Sequence, residues 1–376
     1  MGNEDAALRF RAWRIIALSV RSFIAAFDKT QRCLPHCHDA MRGGGVPRMT
    51  IEMIGLEEIE TARDRLKGLV VRTPQTRSEY LSELTGTPVY LKLENRQTTG
   101  SFKLRGATNA ILSLSPDDRK RGLVTASTGN HGRALAHAAS EQGLIATVCL
   151  SSLVPRNKVN AIRDLGADVR IVGNSQDDAM DEVTRLAREE GMNIIPPFDD
   201  PRIIAGQGTI GLEITDDQPD TETVLIPLSG GGLAAGIAAA VKARHPHSRV
   251  IGISMSRGAA MDASFKAGKP INVEELETLA DSLGGGIGLD NRWTFSMCRS
   301  LLDDVVLLDE EEIAAGIRHA ATQEGEIIEG AAAVSIAALL SGKIKPTGPT
   351  VIIVSGGNID PEQHRAIMED RYRRAG

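Results

Sequence analysis

From Pro88 onward, short apolar runs rich in β-branched residues alternate with helix-forming segments. "VYLKLE" leads to a helix opening at Lys103, "LVTAS" to "NHGRALAHAASEQG", "ATVCLS" to "VPRNKVNAIRDLGA", and "DVRIVG" to "SQDDAMDEVTRLAREEG". "NIIPPF", "TVLIPLS", "RVIGISM", "DVVLLD" and "TVIIVSGG" follow, most with helical sequence behind them. Continuous apolar strands separated by helices imply parallel sheets covered on both faces, an α/β architecture. The strands outnumber what one sheet comfortably holds, and Pro196-Pro197 followed by "FDDP" reads as a crossing between two lobes. The expected division is a large lobe from residues 53–121 and 199–376 and a small one from 122–198, with a cleft between them. No fixed-period repeat is visible, so solenoids are excluded.

A chain of 376 residues, 41% hydrophobic and 24% charged, supports one large or two ordinary cores. Its formal net charge of -6 and the lack of a long basic run argue against a nucleic-acid partner. Cys33, Cys37, Cys149 and Cys298 are too scattered for a disulfide framework, which points to a reducing cytoplasm. In "RFRAWRIIALSVRSFIAAF", Arg11, Arg14 and Arg21 interrupt the apolar run, so neither a membrane span nor a signal segment is expected. Residues 1–52 are read as an extension outside the ordered enzyme, or as sequence upstream of a start at Met41, Met49 or Met53. Cys33, His36, Cys37 and His38 are metal-ligand types, but their crowded spacing has no answering second pair, so no metal is assigned.

In open parallel sheets, ligands bind beyond the carboxyl ends of strands, which directs attention to the turns there. "LSGGGLAAGIAAAVKA" sets Ser229, Gly230, Gly231, Gly232 and Leu233 at a helix start. Unobstructed N–H groups backed by the helix dipole make a phosphate cradle; close helix–strand packing is the plainer reading of the same glycines. "TASTGNHGRALA" offers Ser127, Thr128, Gly129, Asn130 and His131 to an anion such as a carboxylate, unless Thr128 or Asn130 is merely a cap. "IIVSGGNID" ends a strand at Ser355, whose hydroxyl can meet a ring nitrogen. Lys103 stands where the "GSF" turn becomes an amphipathic helix over 104–111 and can point into the cleft.

Gly230, Gly232 and Gly236 also mimic a dinucleotide fingerprint, and Ser256-Arg257 after the next strand would suit only NADP. An NADP-dependent oxidoreductase is therefore an alternative, as is a ligand-sensing protein with the same cleft. In combination, the lysine, the phosphate cradle, the carboxylate-binding turn and the hydroxyl are the parts that hold pyridoxal phosphate on a lysine amine.

The ordered series "TGSFKLRGA", "STGNHG", "IAGQGTIGLEI", "SGGGLAAGIA" and "SGGNID" resembles the fold type II pyridoxal-phosphate enzymes. Within them the serine/threonine dehydratase and serine racemase branch is most similar, and "LADSLGGGIGLDNRWTFSMCRSLLDD" resembles the hydroxyectoine utilization dehydratases. The resemblance implies a two-lobed, tryptophan synthase β-like fold and a homodimer. It implies that Lys103 carries the cofactor and later takes the Cα proton, with Phe102 beside the ring and Asn130 on the phenolic oxygen. The Ser229–Leu233 amides would hold the phosphate and Ser355 the pyridine nitrogen, while Ser127 to His131 bind substrate.

The implied reaction is loss of water from a β-hydroxy-α-amino acid, giving a 2-oxo acid and ammonia. Threonine or serine dehydratase, or serine racemase, are the alternatives. Two departures stand out. Thr128 occupies the place of the racemase's acid–base serine, which puts racemisation in doubt, and Ser254 and Ala260 replace acids of the branch's divalent-cation site. Intact hydroxyectoine holds its α-nitrogen in a cyclic amidine, so a ring-opened hydroxy-diaminobutyrate is the expected substrate.

Overall fold

The computed structural model describes residues 53–127, 129–154 and 156–372. The N-terminal extension, with Cys33, His36, Cys37 and His38, and the alternative starts Met41 and Met49 lie outside the described residues, as does Thr128.

Ten strands form two sheets among the described residues. They are β1 (Gln75–Ser78), β2 (Val89–Leu93), β3 (Leu123–Thr125), β4 (Ala146–Leu150), β5 (Asp168–Ile171), β6 (Asn193–Ile194), β7 (Thr223–Pro227), β8 (Arg249–Met255), β9 (Asp304–Leu308) and β10 (Thr350–Val354). One sheet runs β1-β2-β10-β7-β8-β9 and the other β5-β4-β3-β6. All pairings are parallel except β1 with β2, an edge strand that the apolar pattern did not announce because only Ser78 of it is buried. Strands β4, β7 and β10 are buried along their whole length, as expected where helices cover both faces.

Register places the chemistry. Val354 of β10 lies beside Leu93 of β2, and Ile352 beside Leu225 of β7, so the carboxyl ends of β2, β10 and β7 are neighbours. The turn before Lys103, the Ser355 turn and the Gly230 turn all leave from that edge.

On one face of the larger sheet, Ile204, Ile210, Val224, Ile237 and Ile353 share a core; on the other, Leu91, Ile253, Ile313, Val334 and Ile352 do so. Each such side chain contributes about 1.5–3 kcal/mol by leaving water. The smaller sheet is covered by the helices Asn130–Glu141 and Gln176–Glu190.

The helix Lys103–Leu112 departs from its expected amphipathic character, since every residue from Leu104 to Ile111 is buried. It lies between the helices Asn130–Glu141 and Pro201–Asp217, so it has no solvent face. Glycines allow this. A Cβ on Gly206 would lie 2.7 Å from the Arg105 carbonyl oxygen, and one on Gly236 would lie 2.3 Å from the Ile204 carbonyl oxygen. The "IAGQGTIG" stretch thus brings the Lys103 helix and the Gly232–Arg244 helix against one central helix, backbone to backbone.

Beneath Lys103 runs a buried ionic network. Arg105 Nε and Nη2 donate to Glu94 at 2.9 and 2.8 Å, and Nη1 and Nη2 donate to Glu213 at 2.6 and 2.9 Å. Lys92 Nζ lies 2.6 Å from Glu213 and donates to the Thr73 carbonyl at 2.8 Å. Two cations and two carboxylates balance, which is what permits charge at this depth.

Candidate active site

Lys103 is held by its turn. Gly100 has φ +76, and a Cβ there would lie 2.7 Å from Asn358 Oδ1, so only glycine fits. Phe102 N donates to the Ser355 carbonyl at 3.1 Å and Gly357 N to the Gly100 carbonyl at 2.9 Å, with a bridge between Ser101 and Gly356. The turn before the lysine is therefore stitched to the turn after β10. Lys103 Nζ donates to the Pro197 carbonyl at 2.7 Å and lies 5.2 Å from the centroid of the Phe102 ring. Burial pushes the amine down to about 8, against the opposing field of Glu329. A half-buried lysine with a sizeable neutral fraction is a nucleophile toward an aldehyde and a base.

The Ser229–Leu233 turn leads into the helix Gly232–Arg244 through Gly231, whose φ is +89 and which provides no side-chain cap. First-turn N–H groups are left for an anion. A Cβ on Gly230 would come within 2.4 Å of the Phe198 ring, and one on Gly232 within 2.9 Å of the Phe198 carbonyl oxygen. The close-packing reading and the cradle reading both hold here: Phe198 presses the turn into shape, and the missing side chains leave its amides clear. Phe198 follows directly on Pro197, so the strap that receives the lysine also supports the cradle.

The third turn opens the helix Asn130–Glu141. Its cap is Gly129, without a side-chain bond, rather than Asn130. Asn130 is instead held at both ends of its amide: Nδ2 donates to Glu329 Oε1 at 2.8 Å and Oδ1 accepts from Asn358 Nδ2 at 2.6 Å. That leaves one N–H of Asn130 Nδ2 for a ligand. His131 Nε2 meets the Ile195 carbonyl at 2.9 Å; a carbonyl only accepts, so Nε2 carries the proton. Burial, with the Lys103 charge, pushes the imidazole down to about 3, so it stays neutral. Ser355, at 3% exposure, sits beyond β10 between the lysine turn and the cradle.

Glu329, Asn358 and Pro197 were missed from the sequence. Glu329 left a trace, an acid directly before the apolar helix Gly330–Leu340. Asn358, inside "SGGNID", and Pro197, in the lobe crossing, were given no role from the sequence, because their roles are set by contacts across the fold. Ser254 Oγ points at its neighbour's Sδ at 3.4 Å, and Ala260 opens a short helix.

The residues suit pyridoxal phosphate. An uncapped helix start with glycines where a Cβ would collide could receive the phosphate, Lys103 the aldehyde, Asn130's remaining N–H the phenolic oxygen, and the Ser355 hydroxyl the ring nitrogen.

Comparison with known proteins points to the same cofactor. Residues 66–356 match the family described as pyridoxal-phosphate dependent enzyme. A Sinorhizobium fredii protein provisionally named a threonine dehydratase is 64% identical over 321 residues, 85% of this chain and 97% of that one. The L-threonine ammonia-lyase of Thermotoga maritima is 44% identical, over 82% of this chain and 76% of its own. The structure of maize serine racemase superposes with a TM-score of 0.79 at 31% identity, covering 84% of this chain and 97% of the racemase. The chain therefore belongs to the pyridoxal-phosphate dependent enzymes, with the α/β fold of that family.

Proposed function

We propose that this enzyme removes water from a β-hydroxy-α-amino acid and releases a 2-oxo acid and ammonia, with threonine and serine as the first substrates to expect. The observation that carries the reading is Lys103, its amine lowered to about 8 and set among three strand-end turns. The names of the dehydratase and ammonia-lyase relatives support it.

When bound, the cofactor withdraws electrons from the substrate's Cα–H bond. The chain does the rest. Lys103 Nζ receives the Cα proton, and its turn, tied to Ser355 and Gly357, holds that atom in place. The amides of Ser229 to Leu233 anchor the phosphate, and Asn130, fixed by Glu329 and Asn358, orients the phenolic oxygen. Phe102 flanks the ring. Ser355 offers a neutral hydroxyl rather than a carboxylate to the ring nitrogen, which favours prompt loss of the β-substituent. Ser127, Gly129, Asn130 and His131, together with Thr128, would receive the substrate carboxylate at a helix N-terminus. The proposal extends to a substrate lobe at 122–198, a cofactor lobe from 53–121 and 199–376, and a cytoplasmic homodimer.

A second reading has a specific feature in its favour. Asp281, in the "LADSLGGGIG" stretch, acts electrostatically on Glu329. The Glu329 carboxyl on Asn130, with Asp281 on the turn packed against its helix, suits a substrate with a second ammonium, such as a ring-opened hydroxy-diaminobutyrate in hydroxyectoine catabolism. Purified enzyme given L-threonine, L-serine, hydroxy-diaminobutyrate and intact hydroxyectoine, with 2-oxo acid and ammonia measured, decides. Turnover of the first pair supports the main reading and of the third the second; turnover of the intact ring alone defeats both.

A further inference from the structure

Glu329 is a buried carboxyl to which the chemistry above gives only a supporting contact. It stands at the N-cap position of the helix Gly330–Leu340, with no side-chain capping bond, and is 5% exposed. Its backbone N donates to the Gly356 carbonyl at 3.2 Å, and a Cβ on Gly356 would lie 2.4 Å from its Oε1. The loop that holds Glu329 is the one that accepts the Phe102 amide, so the carboxyl and the Lys103 amine are built on the same pair of turns.

We propose that Glu329 is a positioning residue, the counter-carboxyl that governs how readily Lys103 holds a proton, and that Asp281, an exposed residue of the turn Asp281–Leu283, tunes it. That turn packs on the start of the Glu329 helix: a Cβ on Gly330 would lie 2.0 Å from the Leu279 carbonyl oxygen and 3.0 Å from Ala280 N. The charged groups acting on Glu329 come from three elements besides its own: Asp281 from that turn, Lys103 from its helix, and Lys158 from the helix Arg156–Arg163. His131, beside Lys103, is neutral and adds no charge. Burial pushes Glu329 up to about 7 and the like charge of Asp281 adds to this; the Asn130 hydrogen bond and the two lysines oppose it. Above that pH Glu329 is charged and favours the ammonium of Lys103. Below it Glu329 is neutral and that support is gone. Glu329 thus couples the proton affinity of the reactive amine to pH near neutrality.

The inference rests on Lys103 being the site's reactive amine, but its test needs no turnover, so a wrong substrate leaves it intact. Full-length protein stripped of cofactor, and shown to rebind it, is trace-labelled with acetic anhydride across pH, and acetylation of Lys103 is read by peptide mass spectrometry. Glu329→Gln keeps an acceptor for Asn130 while removing the charge. Its Lys103 midpoint is expected to fall by about 0.5–1 pH unit. In parallel, infrared titration of the wild type should show a protonated-carboxyl band that disappears near neutral pH and is missing in Glu329→Gln. In Asp281→Asn, which keeps the acceptor for Ser282, the same band should titrate about half a unit lower. A Lys103 midpoint unmoved or raised in Glu329→Gln overturns the proposal. So does a carboxyl band that survives in Glu329→Gln or does not move in Asp281→Asn. The Asp281 variant alters only an exposed side chain, so it remains informative if Glu329→Gln does not fold.

Discussion

Replacing Arg105 with methionine tests the ionic network beneath the reactive lysine. The side chain is 1% exposed and makes four charge-assisted bonds, two each to Glu94 and Glu213, besides contacts to Thr209 at 3.2 Å and to the Val71 carbonyl at 3.2 Å. Methionine keeps most of the volume and removes the charge. Glu213 retains Lys92 at 2.6 Å, but fully buried Glu94 is left with the Thr73 hydroxyl and no cation. Removing one partner of a buried pair costs about 3–5 kcal/mol, most of it from the stranded carboxylate. Urea unfolding at pH 7 should show a loss of that size.

The pH dependence supplies the sharper check. Burial disfavours the charged form of Glu213, yet the Arg105 and Lys92 charges outweigh it and hold the carboxyl below its usual range. In the wild type that contribution is therefore present above the ordinary carboxylate pKa and is lost as pH falls through the lower, folded value. In the variant a buried carboxylate without its cation takes up a proton instead of staying charged. The deficit should accordingly shrink between pH 7 and pH 5. A loss below about 1 kcal/mol at pH 7, or a deficit that is the same at both pH values, would refute the reasoning.

Three further outcomes are expected. Lys103→Ala should lose the visible absorption band that borohydride shifts in the wild type, and at least about 1,000-fold in turnover; a retained band would move the attachment elsewhere. Gly230→Ala places a methyl 2.4 Å from the Phe198 ring and should weaken cofactor binding while costing about 1–3 kcal/mol, read by cofactor titration and thermal melting. Asp199 accepts the amides of Arg292, Trp293 and Thr294 at 2.7, 2.9 and 2.8 Å, so Asp199→Ala should lower stability by about 0.5–2 kcal/mol in urea with little change in bound cofactor.

Strand–helix alternation, the uncapped glycine turn, the Ser355 strand end and the lysine at a helix opening were all readable along the chain, because each is a property of a few consecutive residues. Local pattern dictates which segments can be strands and which turns have bare amides. The antiparallel edge strand β1 escaped because a four-residue strand with one buried residue carries no periodic signal. The helix 104–111 misled because its burial comes from two neighbouring helices, not from its own pattern. Pairing order was equally out of reach: β10 lies between β2 and β7 although more than a hundred residues separate it from either. That adjacency is what gathers Lys103, Ser355 and the cradle at one edge, and it brings Glu329, Asn358 and the Pro197 carbonyl to them. Such contacts follow from closing long loops and burying both sheet faces at once, a balance struck over the whole chain, so no short stretch of residues encodes them.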